Sequence, residues 1–390
     1  MKKIDEIYKI RPTYKRFSPR TTAPAGRRET TPQRVSRVAA WRGETRLRNI
    51  RGGKPGFSLL DYAFYDGAFT VGHATGSGRG NWNHGLYSWS PLGASIKPPD
   101  VERFKADPRR ASEILKKAAR YYGAALVGIC ELDERWVYAH DYRGREIVFE
   151  DVKEWYETEE KIVIPKSHKY IIVIAVPMEF EEVKYAPMPM TPVSTMGYSR
   201  MAIVAGSLAE FIRGLGWHAL PCGNDTALSI PLAIEAGLGH AGRNGRLITW
   251  ERGPMVRLCK VFTDLPLEPD ETLDDGIIRF CEVCKKCARM CPSQALPMGE
   301  RTFEGPSPSN NPGVLKWYED GEKCSQFWNQ IGSGCSLCFR VCPFSKPNTG
   351  IHRLVKWFIR NIPQLNRFWV WCDDLFGYGK MGDPEKYWES

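Results

Sequence analysis

Eight of the chain's twelve cysteines fall between Cys281 and Cys342, and their spacing constrains the fold more than any other feature. "CEVCKKCARMCP" sets Cys281, Cys284, Cys287 and Cys291 in the order C-x-x-C-x-x-C-x-x-x-C-P. Three thiolates on one tight loop reach three irons of a cubane. The fourth, followed by Pro292, opens a segment that turns away toward a second cluster. Structural zinc sites use paired C-x-x-C groups set well apart, so this run favours iron–sulfur. A second run, "GSGCSLCFRVCPFSKP", supplies Cys335, Cys338 and Cys342 but is one ligand short. The nearest free thiol upstream is Cys324, in "EKCSQFWNQIGSGC". The spacing therefore predicts two [4Fe–4S] clusters. One is held by Cys281, Cys284, Cys287 and Cys342, the other by Cys291, Cys324, Cys335 and Cys338. Two adjacent clusters make an electron wire, and a wire needs a terminus. Cys130, Cys222, Cys259 and Cys372 stand alone and read as small buried hydrophobes.

The terminus should lie upstream, where helices and strands alternate. "DPRRASEILKKAARYYG" is helical, with Ile114, Leu115, Ala118 and Tyr121 on one face and Gly123 as its stop. "AALVGIC" and "YIIVIAVPM" are strands. The second is apolar throughout, as a central strand covered on both faces should be, and too short to span a membrane. Just after Tyr198, "SRMAIVAGSLAEFIRGLG" is a helix, and "WHALPCG" is a strand. "DTALSIPLAIEAGLG" is a second helix capped by Asp225 or Thr226. "LITWERGPMVRLCKVFTDLPL" is a strand pair around Gly253-Pro254. This alternation indicates an α/β or α+β sandwich. The expected layout is a basic wrapping region over 1–100, a core over 101–133 and 168–270, and an insertion over 134–167. A ferredoxin-like module follows over 271–350, then an aromatic capping segment over 351–390, which reads as helices over the core rather than a membrane-facing surface.

The net charge of +10 is concentrated at the start, where residues 1–55 carry 16 Lys/Arg against 4 Asp/Glu. A solvated arm that wraps the domain is favoured over a grip on nucleic acid, with Tyr8, Tyr14, Phe17 and Trp41 available for packing or stacking. No apolar h-region opens the chain, and Arg27-Arg28 is followed by polar "ETTPQR" rather than the body of a twin-arginine signal. The expected location is cytoplasmic if Met1 is the native start. If a signal has been removed, it is the outer face of the cytoplasmic membrane. "GLGHAG" places Gly237, Gly239 and Gly242 in G-x-G-x-x-G order, but it ends a helix and precedes a strand, the reverse of a dinucleotide site. Its bare backbone still permits close approach of a large flat cofactor.

Together, "YSRM", "CGNDTALSIPLAIEAGLGHAGRNGRLIT", "GPMVRLCKVFTDLPLEPD" and the two cysteine runs resemble the corrinoid- and iron–sulfur-dependent reductive dehalogenases. The similarity runs from "YKRFSPR" to "DDLFGYGK" and "DPEKYW". The resemblance implies an α+β fold, with a nitroreductase-like corrinoid-binding α/β core beside a bacterial two-cluster ferredoxin-like module. It implies a base-off corrinoid (cobalamin). In agreement, no histidine here has Asp two residues before it, so the D-x-H-x-x-G lower-ligand motif is absent. It further implies that Tyr198 protonates the substrate carbon, that Asn224 hydrogen-bonds near the substrate and that Arg257 sits by the tyrosine. Gly237, Gly239, Gly242 and Asn244 would lie against the corrinoid, and Trp82, Trp317 and Tyr318 would line a substrate channel or pack the core. The implied partners are an organohalide, an electron donor and a small membrane anchor protein. The nearest rival is epoxyqueuosine reductase, a tRNA-modifying enzyme with the same cofactors, whose aspartate in a "D-[ST]" context Asp225 would match. Nucleic acid enters only under that rival, against which stand the tyrosine motif, the long N-terminal region and the "FGYGK" ending. A non-catalytic ferredoxin-like carrier would leave everything before Cys281 without a role.

Overall fold

The computed structural model describes residues 3–23, 43–75, 85–92, 101–188, 190–273 and 276–389. Trp41, Trp82 and the Arg27-Arg28 pair lie outside the described residues. The strands are β1 (Leu126–Glu131), β2 (Glu146–Glu150), β3 (Tyr156–Glu157), β4 (Lys161–Pro165), β5 (Tyr170–Pro177), β6 (Ala219–Cys222), β7 (His240–Ala241), β8 (Leu247–Ile248) and β9 (Val256–Thr263). Around them lie α1 (Lys3–Tyr8), α2 (43–51), α3 (Leu59–Ala74), α4 (Pro108–Tyr121), α5 (Met190–Gly214) and α6 (Ser229–Glu235). The cysteine region holds α7 (Ile277–Cys284), α8 (Lys286–Arg289), α9 (Gly321–Ile331) and α10 (Leu337–Arg340). The tail adds α11 (Gly350–Asn361) and α12 (Asn366–Leu375).

The main sheet runs β1-β5-β9-β6 and is antiparallel throughout. Its antiparallel pairing with helices on both faces makes the fold α+β. β5 shows why its sequence is apolar at every position. Ile171, Val173 and Ala175 pack into one core with α6, while Ile172, Ile174 and Val176 pack into another with α4 and α5. Successive residues of a strand face opposite ways, so a strand buried on both sides loses its polar alternation. A second sheet, β2-β4-β3, occupies the segment after β1 and lays Ile147, Ile162 and Ile164 on the first of these cores.

Several boundaries differ from the sequence expectations. α5 begins at Met190, so Tyr198 sits inside the helix rather than ahead of it. α6 begins only at Ser229, and Leu228 at its N-cap gives no side-chain cap. Asp225 and Thr226 are buried in the preceding turn, where Thr226 has a positive φ of 63°. On α4 the buried face is Ala111, Ser112, Leu115 and Ala119, and Tyr121 is 87% exposed. β8 pairs with β7 and β9 with β5 and β6, so around Gly253 only an isolated Thr249–Gly253 bridge remains of the expected strand pair.

The described part of the basic arm is packed, not free. Ile4 and Tyr8 are buried, and Arg16 donates to the carbonyls of Val137, Tyr138 and Ile147. α11 and α12 lie on α7, where Ile359 and Val370 join Ile277, Phe280 and Cys284 in one cluster. Their outer faces leave Trp357, Phe368 and Trp371 exposed. No helix among the described residues is long and apolar enough to cross a membrane.

Candidate functional site

A cavity of about 870 Å³ lies between α5, the start of β9, the turn before α6 and the cysteine region. That is the upper end of the usual range for small-molecule sites, about 300–1,000 Å³. Tyr198, Asn224 and Arg257 line it together with Cys291, Cys324, Cys335 and Cys338.

Three elements position the tyrosine. α5 is fixed by Met201, Ala205, Leu208 and Ile212, buried at helical spacing against the sheet. One turn earlier, Tyr198 emerges at the cavity. Gly197 beside it is required sterically, because a Cβ there would stand 2.6 Å from Arg257 Cγ. With no side chain in the way, the Arg257 guanidinium lies over the Tyr198 ring, 4.8 Å from its centroid. Arg257 also donates to Ser194 Oγ from one Nη, and its buried Nε has no acceptor among the described residues. Asn224 Nδ2 donates to Tyr198 Oη at 3.1 Å. On the far side the ring meets Phe69 of α3 at 5.8 Å between centroids.

Asn224 is held in turn by Lys260 of β9, which is fully buried. Lys260 Nζ donates to the carbonyls of Gly223 and Ala227, both at 2.6 Å, and to Ser229 Oγ at 3.1 Å. Burial lowers its pKa, opposed by the neighbouring Cys222 and Asp225. The lysine thus staples both ends of the turn that carries Asn224.

The eight cysteines divide spatially into two sets of four. Cys281, Cys284, Cys287 and Cys342 face a separate small cavity with Phe280, Phe344 and Arg243. The other four face the large cavity. Within the first set Cys287 is influenced by Cys281, Cys342 and Cys284, and within the second Cys324 is influenced by Cys335 and Cys291. Cys338 of the second set also acts on Cys287 of the first, so the sets adjoin there. Among the described residues no three His, Cys, Asp or Glu side chains converge on one ion. Burial pushes the thiols up, Cys284 and Cys335 to about 11 and Cys324 to about 12, so cluster assembly must displace their protons.

A local repeat underlies both sets. Lys285 and Ser336 take left-handed conformations, with φ of 51° and 55°. Each turns the chain into a short helix, α8 or α10, whose first N–H (Lys286, Leu337) donates to the preceding sulfur, Cys284 or Cys335. The spacing singled out the cysteines; this backbone turn, on two residues with ordinary side chains, left no signal in it.

Other expected site residues are placed elsewhere. Gly237, Gly239, Gly242 and Asn244 do not line the large cavity. A Cβ on Gly237 would meet Glu271 O at 2.5 Å, on Gly239 Ile248 O at 2.1 Å, and on Gly242 the Ile248 side chain at 2.7 Å. These glycines serve chain packing, and Asn244 borders the small cavity. From the same stretch Ala241, Gly245, Arg246 and Leu247 do reach the large one. Trp317 lines it and Tyr318 does not; Asp225 is buried outside it.

A two-cluster module opening onto a large cavity with a hydrogen-bonded tyrosine defines an iron–sulfur redox protein. Residues 280–345 match the family model for a 4Fe-4S double cluster binding domain, and residues 137–267 match that for a reductive dehalogenase subunit. Over these residues the chain is similar to the reductive dehalogenases. It is 41% identical to the tetrachloroethene reductive dehalogenase of Sulfurospirillum multivorans over 77% of its length and 63% of the relative's. The corresponding enzyme of Desulfitobacterium hafniense is 37% identical over 78% of this chain and 61% of its own. The chain therefore spans about three-fifths of these curated relatives. A solved reductive dehalogenase whose structure suggests a mechanism for B12-dependent dehalogenation superposes with a TM-score of 0.62 at 28% identity, over 73% of this chain and 39% of that one. A catabolic reductive dehalogenase solved with 3-bromo-4-hydroxybenzoic acid shares the fold, with a TM-score of 0.68 at 22% identity over 95% of this chain and 48% of its own. The epoxyqueuosine reductase of Lactococcus garvieae is 29% identical over only 30% of this chain and 32% of its own.

Proposed function

We propose that this chain carries the active site of a corrinoid-dependent reductive dehalogenase, which replaces a carbon-bound halogen by hydrogen. The observation that carries the reading is the single cavity that joins the Tyr198–Asn224–Arg257 cluster to four cluster-type cysteines. In this reading the helix-covered β1-β5-β9-β6 sheet is a nitroreductase-like core, and the cysteine region is the ferredoxin-like module that supplies it.

The cavity's residues fit a corrinoid. The walls mix apolar side chains with Ser, Thr and Asn, and Trp328 Nε1 and Arg257 Nε are buried donors without acceptors among the described residues. None of the described lining residues is a histidine, which suits a base-off form. When bound, the corrinoid supplies the low-potential electron pair that breaks the carbon–halogen bond. The overall change is R–X + 2e⁻ + H⁺ → R–H + X⁻. Tyr198 Oη provides the proton to carbon. A phenol near pKa 10 is a poor acid unless its anion is stabilised. The guanidinium over the ring and the amide donating to the oxygen both stabilise tyrosinate. Cys291, Cys324, Cys335 and Cys338 would hold the inner cluster beside the cavity, and Cys281, Cys284, Cys287 and Cys342 the outer one, which would take electrons from an external donor. A small membrane anchor protein is a further partner in this reading.

The test is anaerobic reconstitution with cobalamin, iron and sulfide, reduction by a viologen dye, and an assay for halide from chlorinated and brominated alkenes and phenols. Halide that depends on both cobalt and iron supports the reading. A fully loaded protein that releases none from the panel, but reduces epoxyqueuosine in tRNA, would refute it.

A further inference from the structure

The turn between β7 and β8, "GRNGR" from Gly242 to Arg246, lies where the two cysteine sets adjoin. It is rigid: Gly242 N donates to Arg246 O at 2.9 Å, Gly245 N to Gly242 O at 3.0 Å and Arg246 N to Asn244 Oδ1 at 3.2 Å. It sends one arginine to each set. Arg243 borders the small cavity with Cys281, Cys284, Cys287 and Cys342, and Arg246 borders the large one with the other four.

The two cations differ in their partners. Arg243 is 1% exposed, and its guanidinium donates only to carbonyls: Cys281 at 3.1 Å, Pro297 at 2.8 Å, Gly299 at 2.6 Å and Glu282 at 3.4 Å. It also lies over the Trp317 ring, 4.6 Å from the centroid. Among the described residues no carboxylate stands at ion-pair distance from it. A buried cation without a counter-charge is strongly disfavoured; the negative charges that act on Arg243 are those of Cys281, Cys287 and Cys284 first and of the Glu282 carboxylate after them. Arg246, in contrast, is paired with Glu319, Nη1 to Oε1 at 3.1 Å. Lys286 and Lys346 also approach the first set, but both pair with the Asp373 carboxylate; Lys356 near Cys342 and Arg340 near Cys335 of the second set donate instead to the carbonyls of Lys346 and Ala186.

We propose that Arg243 is a fixed charge in no ion pair that raises the reduction potential of the outer cluster, while Glu319 masks the corresponding arginine of this turn, Arg246, at the inner one. Reduction adds one negative charge to a cluster, and a nearby cation in a low-dielectric interior favours the reduced state. The outer cluster then collects electrons from a weak donor. This rests on the assignment of the eight cysteines to two clusters.

The test is an EPR-monitored redox titration of the reconstituted protein. In Arg243→Gln the outer midpoint is expected to fall by about 59 mV or more, a tenfold change in a one-electron equilibrium, with the inner midpoint unmoved. Arg243→Lys, which keeps the charge, should recover most of the shift. Glu319→Gln unmasks Arg246 and should raise the inner midpoint alone. Both clusters loaded in Arg243→Gln with unchanged midpoints would overturn the proposal. If that variant fails to assemble its outer cluster, Glu319→Gln decides: a raised inner midpoint supports the proposal and an unmoved one refutes it. Wild-type protein that retains no iron would instead overturn the cluster assignment, and the inference with it.

Discussion

Lys260→Met separates the scaffold of the site from its chemistry. Methionine matches the lysine's length but cannot donate, so the carbonyls of Gly223 and Ala227 and the Ser229 hydroxyl lose their shared donor inside the core. Removing one partner from a buried charged network costs about 3–5 kcal/mol. Part of this is regained because the ammonium no longer has to be buried, so a net loss of roughly 3 kcal/mol is expected. Unfolding entropy of about 2.1 cal/mol/K per residue over 390 residues gives roughly 0.8 kcal/mol/K, so Tm should drop by about 4 °C. The turn that loosens carries Asn224, so halide release should also fall at least tenfold while cofactor loading is unchanged. Differential scanning calorimetry and a halide assay on the same preparation check both. A variant with wild-type Tm and wild-type turnover would show that the lysine does not hold the turn.

Asn224→Ala removes a hydrogen bond to a developing tyrosinate, worth about 1.5–3 kcal/mol. It should lower kcat roughly 10- to 150-fold with little change in KM. Cys324→Ala should cost the inner cluster alone, halving iron content and leaving the outer cluster's EPR signal intact. Burial lowers the pKa of His168 from 6.5 to about 4. Between those values the unfolded chain takes up a proton that the folded chain refuses, so this group makes stability fall as pH drops below 6.5. The loss is roughly 1–2 kcal/mol by pH 5. Neighbouring His218, raised by its bond to Asp264, works in the opposite sense. His168→Gln should therefore flatten the acid side of a Tm–pH profile.

What the sequence revealed follows from how local each signal is. The cysteines of "CEVCKKCARMCP" lie close together at fixed spacing, so they announce themselves, and counting singled out Cys324, which faces the large cavity with Cys291, Cys335 and Cys338. β5 was legible because a strand buried on both faces has a continuous apolar run. The start of α5 was not. "MTPVSTMGY" is no strong helix former, and the helix extends through it by packing on α3, where Gly72 N donates to Ser199 Oγ at 3.0 Å. Tyr198, Asn224 and Arg257 come from three separate elements, and only resemblance to a family linked them beforehand. The glycines of "GLGHAG" suggested a cofactor surface, yet the groups that crowd them are the backbones of Glu271 and Ile248 and the Ile248 side chain. Lys260 reads as an ordinary strand residue, because nothing nearby in sequence shows which carbonyls it meets.

The measurement that bears most directly on the central claim is halide release by Tyr198→Phe beside the wild type, with cobalt reduction followed spectroscopically in the same samples. The expected result is normal reduction of the bound corrinoid with halide release reduced by at least a hundredfold, because the electrons arrive and the proton does not. A phenylalanine variant that releases halide at the wild-type rate would contradict the assignment of Tyr198 as the acid and the reading of this cavity built on it.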